Sequence, residues 1–311
     1  MGDPDQLPPV EAGSLFKELS DRFGIRLEKS MRTDNSLIHS LTDQINRGEW
    51  SSDIPLLSWA FDHTFSEKLY QKINPTFSWE MPSPQECLKT LGNFRVLGAL
   101  RQGPFGTDAL NRTIVQEMGR QIQPNQWWAI PIMITSNDPG EGLYNGTCGV
   151  LIGQSRHNGI FLQDGIAYFS DLYHAPSGFV NLDSARRSQI EAQRSDRRGP
   201  APSGQGKEED QFGKVVASPN SQNLMERGII PYKMLPPFEI AFCLSIHKSQ
   251  GSEFENVLAL FPEGSENFGK EAVYTAVTRA KKRIEIVGLE STLKTMLAKQ
   301  SLKTSGLLQR L

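Results

Sequence analysis

Cysteine is scarce: only Cys87, Cys148 and Cys243 occur among 311 residues, far apart and with no C-x-x-C spacing. That excludes a disulfide framework and a thiolate zinc site, leaves no other residue grouping that reads as a metal site, and fits a reducing, cytoplasmic setting. Long apolar runs are missing too. None approaches the roughly 18 residues a membrane-spanning helix needs. The N-terminal stretch is acidic and Pro-rich, unlike a signal peptide. An excess of positive charge is also lacking, since 33 Lys+Arg face 35 Asp+Glu for a net charge of −2. A globally basic nucleic-acid binder is thereby excluded, although a local basic groove is not.

What is present suffices for a sizeable core. Hydrophobic residues make up 38% of the chain and glycine numbers 27, an ordinary globular balance, and the length suggests about two domains. The opening, Gly2 to Pro9, reads as turn material feeding a helix over 10–19, which suggests that sequence belongs upstream of it. A strand is expected over 25–31. A helix follows over 35–47, capped by Asp34 and ended by Gly48. Residues 50–83 read as aromatic and irregular; then come a helical start at 85–90, a strand at 93–100 and a helix from Thr107 or Asp108 to about Arg120.

The pattern changes at Trp127. Short strands are expected at 129–135 and 150–152, a hairpin over 159–169, and further strands at 179–182 and 229–235. Such close spacing suggests a small β-barrel inserted in an α/β domain. Residues 184–222 are rich in Arg, Ser, Gly and Pro and read as a floppy loop. Its arginines could touch nucleic acid, but its composition favours a tolerated surface insertion. From Phe238 the α/β pattern returns, with strands at 238–245, 257–261 and 283–287 and helices at 271–280 and 290–299, which means a parallel sheet.

Two segments compete as phosphate binders. Gly264 to Glu271 nearly fits G-x-x-x-x-G-K-[ST], but Glu271 replaces the metal-binding hydroxyl and Glu266 adds negative charge, so it reads as an ordinary strand-to-helix loop. The run Ser245-Ile-His-Lys-Ser-Gln-Gly-Ser-Glu-Phe254 is stronger, because functional residues gather at the carboxyl ends of parallel strands. His247, Lys248, Ser249 and Gln250 offer donors for phosphate oxygens, Gly251 permits close backbone approach, and Glu253 can accept from a ribose hydroxyl or orient a base. Further on, Thr275, Thr278 and Arg279 share a helix face. Arginine at a domain face is suited to transferring phosphoryl charge; the plainer reading is a surface residue on a basic helix end.

The runs SIHKSQGSEF and YTAVTRAKKR resemble motifs V and VI of superfamily 1 helicases, most closely the RecD type, the exodeoxyribonuclease V alpha subunit and its relatives. Gly2-Asp-Pro-Asp-Gln-Leu7 resembles motif III, and Lys29-Ser-Met-Arg32 with Ile45-Asn-Arg-Gly48 resembles motif IV. Leu97 to Gly106 with Leu110-Asn111, Pro131 to Asp138 with Leu143 to Gly146, and the tail Ser305-Gly306-Leu307 are also typical. The Walker A and B motifs that precede motif III in the family are absent.

The resemblance implies an α/β fold: residues 1–24 as the tail of a first RecA-like domain, 25–126 and 236–311 as the second, and 127–235 as an inserted SH3-like barrel. It implies an ATP-dependent 5′–3′ DNA helicase that uses ATP and Mg²⁺ to translocate on single-stranded DNA in recombination and repair. It leaves open whether RecB/RecC-like subunits act beside it. By resemblance, Gln6, Arg32, Gly251, Glu253 and Arg279 face nucleotide, with Arg279, Gln6 and Arg32 catalytic; His247, Lys248, Ser249, Asn137 and Asn145 face DNA. Without its Walker motifs the chain alone is expected to bind nucleic acid weakly and not to hydrolyse ATP. Two other readings remain, a non-catalytic nucleic-acid-binding remnant or adaptor, and a single-strand binding module built on Trp127 and Trp128.

Overall fold

The computed structural model describes residues 3, 5–7, 20, 24, 35–51, 53–75, 77–156, 159–169 and 228–299. Arg32, the 10–19 helix, the strands at 25–31 and 179–182, the 184–222 loop and the 305–307 tail lie outside them.

Four strands form a parallel sheet: β1 (Phe94–Gly98), β7 (Cys243–Ser245), β8 (Phe254–Phe261) and β9 (Ala280–Gly288), in the order β7-β1-β8-β9. Val96 lies opposite Cys243 on one side and Leu258 on the other, and Leu258 opposite Glu285. Because side chains alternate along a strand, Leu258 and Leu260 enter one core cluster, while Val257, Ala259 and Phe261 enter another on the opposite face. Both faces are therefore covered, as parallel sheets require.

On the face of Val257, Ala259 and Phe261 lie α1 (Ser36–Arg47), α5 (Lys270–Val277) and α6 (Glu290–Ala298). Helix α1 presents Ile38, Leu41 and Ile45 as its buried stripe. Its N-cap is Asn35, whose side chain accepts from the Leu37 amide; the expected cap, Asp34, is not among the described residues. Gly48 ends it at φ 73°. On the face of Leu258 and Leu260 lie α2 (Phe65–Ile73) and α4 (Thr107–Gln121). Helix α2 sits in the stretch expected to be irregular. Its nine residues leave only Phe65, Leu69 and Tyr70 buried, a stripe too short to stand out from the neighbouring aromatics.

A second sheet is antiparallel, with β2 (Trp127–Ile134), β3 (Cys148–Gln154), β4 (Ile166–Phe169), β5 (Ile229–Pro231) and β6 (Phe238–Ile240) in the order β5-β4-β3-β2-β6. No pairing joins β5 to β6 among the described residues, so these strands stand as an open sheet. Helix α3 (Pro84–Asn93) lays Cys87, Leu88 and Leu91 on its outer face. The inner face sends Trp128, Ile130, Ile132 and Ile134 into the same cluster as Val96, Leu258, Leu260 and Val287 of the parallel sheet. The Trp128 ring fits because a side chain is missing at Gly153 and Gly165, where a Cβ would lie 2.3 and 3.0 Å from it. Trp128 is fully buried and so is no base-stacking platform; Trp127 is half-buried against the cluster on the outer face of this sheet.

Two expected elements differ. Residues 159–162 form no strand: β4 pairs with β3, while Leu162–Asp164 is a 3₁₀ turn fastened by an Arg156–Asp164 ion pair of 3.2 Å. Residues 238–245 are not one strand either. The chain leaves the antiparallel sheet at Ile240 and enters the parallel one at Cys243, so the second sheet runs past residue 235. Side chains serve the crossing. Asn111 donates to the carbonyls of Ile240 (2.7 Å) and Cys243 (2.9 Å) and accepts from the Cys243 amide (2.8 Å). Arg95 donates to the Ala241 carbonyl at 2.6 Å, and the Ala241 amide donates to Pro131. Arg95 is buried over the Phe254 ring, and that burial pulls its guanidinium below the usual arginine range.

Candidate functional site

Strand β7 ends at Ser245, and the chain turns tightly through 246–251. The Ser249 amide donates to the Ser245 carbonyl, that of Gln250 to His247 and that of Ser252 to Ser249, with Gly251 at φ 85°. Strand β8 then starts where the Phe254 amide donates to the Arg279 carbonyl at 2.8 Å. The SIHKSQG run thus lies at the carboxyl end of a parallel strand, beside the end of α5, as the sequence implied.

The side chains of the turn are more occupied than their residue types suggested. Ser249 is fully buried, and its hydroxyl donates to the Ile246 carbonyl at 2.8 Å, so it holds the turn and faces no solvent. Lys248 is ion-paired with Glu239 on β6, which ties the strand end to the second sheet. His247 is half-buried with its ring edge-on to Phe268, centroids 6.0 Å apart. Glu253 pairs with Lys281 at 3.2 Å. The basic run that follows is balanced by acids, Lys282 by Glu255 and Arg283 by Glu285.

Arg279 lies inside the domain, only 1% exposed. Its guanidinium donates to the carbonyls of Thr275 (3.2 Å) and Ser252 (3.0 Å) and to the Thr278 hydroxyl (3.3 Å). A fork of donors on a rigid plane suits such a junction. In this arrangement it fastens the Gly251–Ser252 corner to α5.

Asp3 and residues 5–7 dock on the same corner. The Leu7 amide donates to the Thr275 hydroxyl at 2.8 Å, and the Gln250 side chain donates to the Leu7 carbonyl at 2.6 Å. Tyr274 donates to Asp3, as does the Gln6 amide group. The structure therefore brings together Gln6, Gly251, Glu253 and Arg279 but leaves Asn137 and Asn145 on a separate loop. There the Asn137 side chain accepts from the Asn145 amide at 2.8 Å. That loop carries Asp138 and Glu141 and no Lys or Arg. Gln250, Thr275, Tyr274 and Asp3 carry the docking without having been singled out for it. Their positions inside the two motif-like runs were legible; contact with residues 3–7 was not, because no local pattern encodes it.

The rejected loop is no phosphate cradle. The Glu266 carboxylate accepts from the Gly264 amide and the Thr292 hydroxyl, and the Lys270 ammonium donates to the Asn46 carbonyl at the end of α1. Burial alone would raise the Glu266 carboxyl, but those two hydrogen bonds, with one from its own backbone amide, hold it below its ordinary value. Among the described residues no group of three or more His, Cys, Asp or Glu could hold a metal ion, and no helix is long and apolar enough to cross a membrane. The Gly264–Glu271 loop thus does not fit a triphosphate with its Mg²⁺.

Residues 240–287, spanning the sheet crossing, the turn, α5 and most of β9, match the UvrD-like helicase C-terminal domain. The RecBCD enzyme subunit RecD of Mycolicibacterium smegmatis is 27% identical over 332 residues, covering 100% of this chain and 48% of that protein. The same subunit of Buchnera aphidicola subsp. Schizaphis graminum is 22% identical, covering 96% and 50%. The chain thus spans about half the length of the curated relatives it matches. A solved structure of Bacteroides Pif1 helicase with ADP-AlF3 and ssDNA is 15% identical, covering 99% of this chain and 64% of that one at a TM-score of 0.43, too loose a superposition to carry an argument. Motif-like runs at a parallel-strand end, a matching helicase domain across that corner and similarity to RecD subunits along the whole of this chain agree: the chain is similar to the carboxy-terminal portion of RecD-type helicases.

Proposed function

We propose that this chain supplies the second RecA-like motor domain, with its insert, of an ATP-dependent 5′–3′ DNA helicase that translocates on single-stranded DNA in recombination and repair. The observation that carries the reading is the docking of residues 3–7 on Gln250 and Thr275, at the carboxyl ends of the parallel strands and beside Arg279. ATP and Mg²⁺ belong to the whole enzyme, with the phosphate cradle supplied by a first RecA-like domain. Arg32, Gly251 and Glu253 then form this domain's side of the nucleotide cleft, with Gln6 of the preceding segment docked beside them and Arg279 bracing the corner from inside. DNA contacts centre on His247 and Lys248, with Lys248 exchanging Glu239 for a phosphate and Ser249 shaping the turn from inside. Asn137 and Asn145 stiffen a second contact, on a loop with two acids and no cation, by holding that loop closed. RecB/RecC-like subunits are the proposed protein partners.

The test uses the chain as it stands. Fluorescence anisotropy with labelled oligothymidylate at low salt should show binding that Lys248→Ala weakens. Phosphate release from Mg·ATP in the presence of that DNA should stay at background. No binding at low salt would refute the DNA reading, and turnover abolished by Lys270→Ala would reinstate the Gly264–Glu271 loop as a phosphate site.

A further inference from the structure

Four hydrogen bonds close a ring around the corner where residues 3–7 dock. The Leu7 amide donates to the Thr275 hydroxyl, the Arg279 Nε to the Thr275 carbonyl, the Arg279 Nη1 to the Ser252 carbonyl, and Gln250, two residues before Ser252, returns to the Leu7 carbonyl. Both backbone polar groups of Leu7 are thus held by side chains from two segments distant in sequence. Leu7 itself is buried in the cluster that contains Ala276 and Ile246. Thr275 and Arg279 are fully buried, so one hydrogen-bond acceptor and the pivot of the ring are fixed by packing. Gln250 is only half-buried, and its backbone amide belongs to the His247 turn.

The ring therefore has one adjustable link. Any ligand that alters the 247–250 turn moves the Gln250 donor, while Thr275 stays put. We propose that Gln250 is a positioning residue that reports the state of the His247–Gln250 turn to the segment at residues 3–7, through its hydrogen bond to the Leu7 carbonyl. The proposal rests on the reading of that turn as a DNA contact. A strand seated there holds the turn in its observed shape and keeps the clasp on Leu7 closed. Gln250 touches neither reacting atoms nor DNA in this role.

Hydrogen exchange at the Leu7 amide, which is bonded to the Thr275 hydroxyl, reads whether the Gln250 clasp on the Leu7 carbonyl keeps that segment docked, with the Phe254 amide, held by the Arg279 carbonyl, as an internal control. Gln250→Glu keeps the side-chain shape and removes the donor. It should speed Leu7 exchange by about tenfold, the scale of one net hydrogen bond, and leave Phe254 unchanged. Gln250→Lys, which restores a donor, should bring the rate back. Saturating oligothymidylate should slow Leu7 exchange at least threefold in the parent chain and leave it unchanged in Gln250→Glu. Equal Leu7 rates in the parent chain and Gln250→Glu overturn the clasp. Oligothymidylate that binds yet leaves Leu7 exchange alone in the parent overturns the coupling. Failure to bind at all overturns the DNA reading and the coupling with it, while the DNA-free comparison still judges the clasp.

Discussion

Arg279 and Cys87 show how far burial decides what a side chain does. An exposed arginine at a domain face would cost under about 1 kcal/mol to truncate. Arg279 makes three hydrogen bonds at 1% exposure, and Arg279→Ala should destabilise the chain by about 2–4 kcal/mol. Urea unfolding followed by circular dichroism measures this; a loss under 1 kcal/mol would place the guanidinium in solvent. Burial, with a smaller contribution from Glu86, pushes the Cys87 thiol up to about 11. The thiolate is the reactive form, and below that value its fraction grows about tenfold per pH unit. Alkylation of Cys87 by iodoacetamide, followed by peptide mass spectrometry, should therefore be slow at pH 8 and about a hundredfold faster at pH 10. A rate that levels off by pH 9 would contradict the burial. Both residues were visible in the sequence, but neither composition nor spacing states depth, so Arg279 and Ser249 read as outward-facing groups.

Among the elements, the crossing at 240–243 is the most exacting. Asn111 alone serves three backbone groups there. Asn111→Ala should cost about 2–4 kcal/mol, because buried donors and acceptors would be left unmatched; a change within 0.5 kcal/mol in urea denaturation would show that water takes their place. Gly48 is the second such point, with φ 73° and a Cβ position 3.0 Å from the Leu297 carbonyl. Gly48→Ala should lower stability by about 1–2 kcal/mol, readable as a fall in melting temperature. Elements whose signal is local were legible: the parallel strands around Val96 and Leu258, the α1 stripe and its Gly48 stop, and the β2–β3 pair. The crossing was not, since Ile240 to Leu244 is an unbroken apolar run and the side chains that mark where it changes sheets, Asn111 and Arg95, lie more than 100 residues earlier. Helix α2 was hidden by its shortness, and the false strand at 159–162 by a turn signal whose true strand partner, β3, lay before it.

For the whole molecule, charge sets the scale of any nucleic-acid contact. With a net charge of −2 and all three cations of the 281–283 run paired with acids, oligothymidylate binding should lose affinity gently with salt. A logarithmic slope on the order of two to four neutralised phosphates is expected; titrations between low and moderate salt giving a slope beyond about six would point to a basic surface outside the described residues. Both sheets contribute to one hydrophobic cluster, so thermal unfolding should be a single transition by circular dichroism and by tryptophan fluorescence alike. Separate transitions would mean that the antiparallel sheet melts alone.

That shared cluster has a mechanical consequence. Strand β2 runs from the outer helix α3 to the Asn137–Asn145 loop, and its inward side chains are clamped against β1, β8 and β9 along the way. An insertion joined only by its two connecting peptides would swing on them. This one is a cantilever with a long built-in root, and tension applied at its loop tip arrives at the parallel sheet without slack.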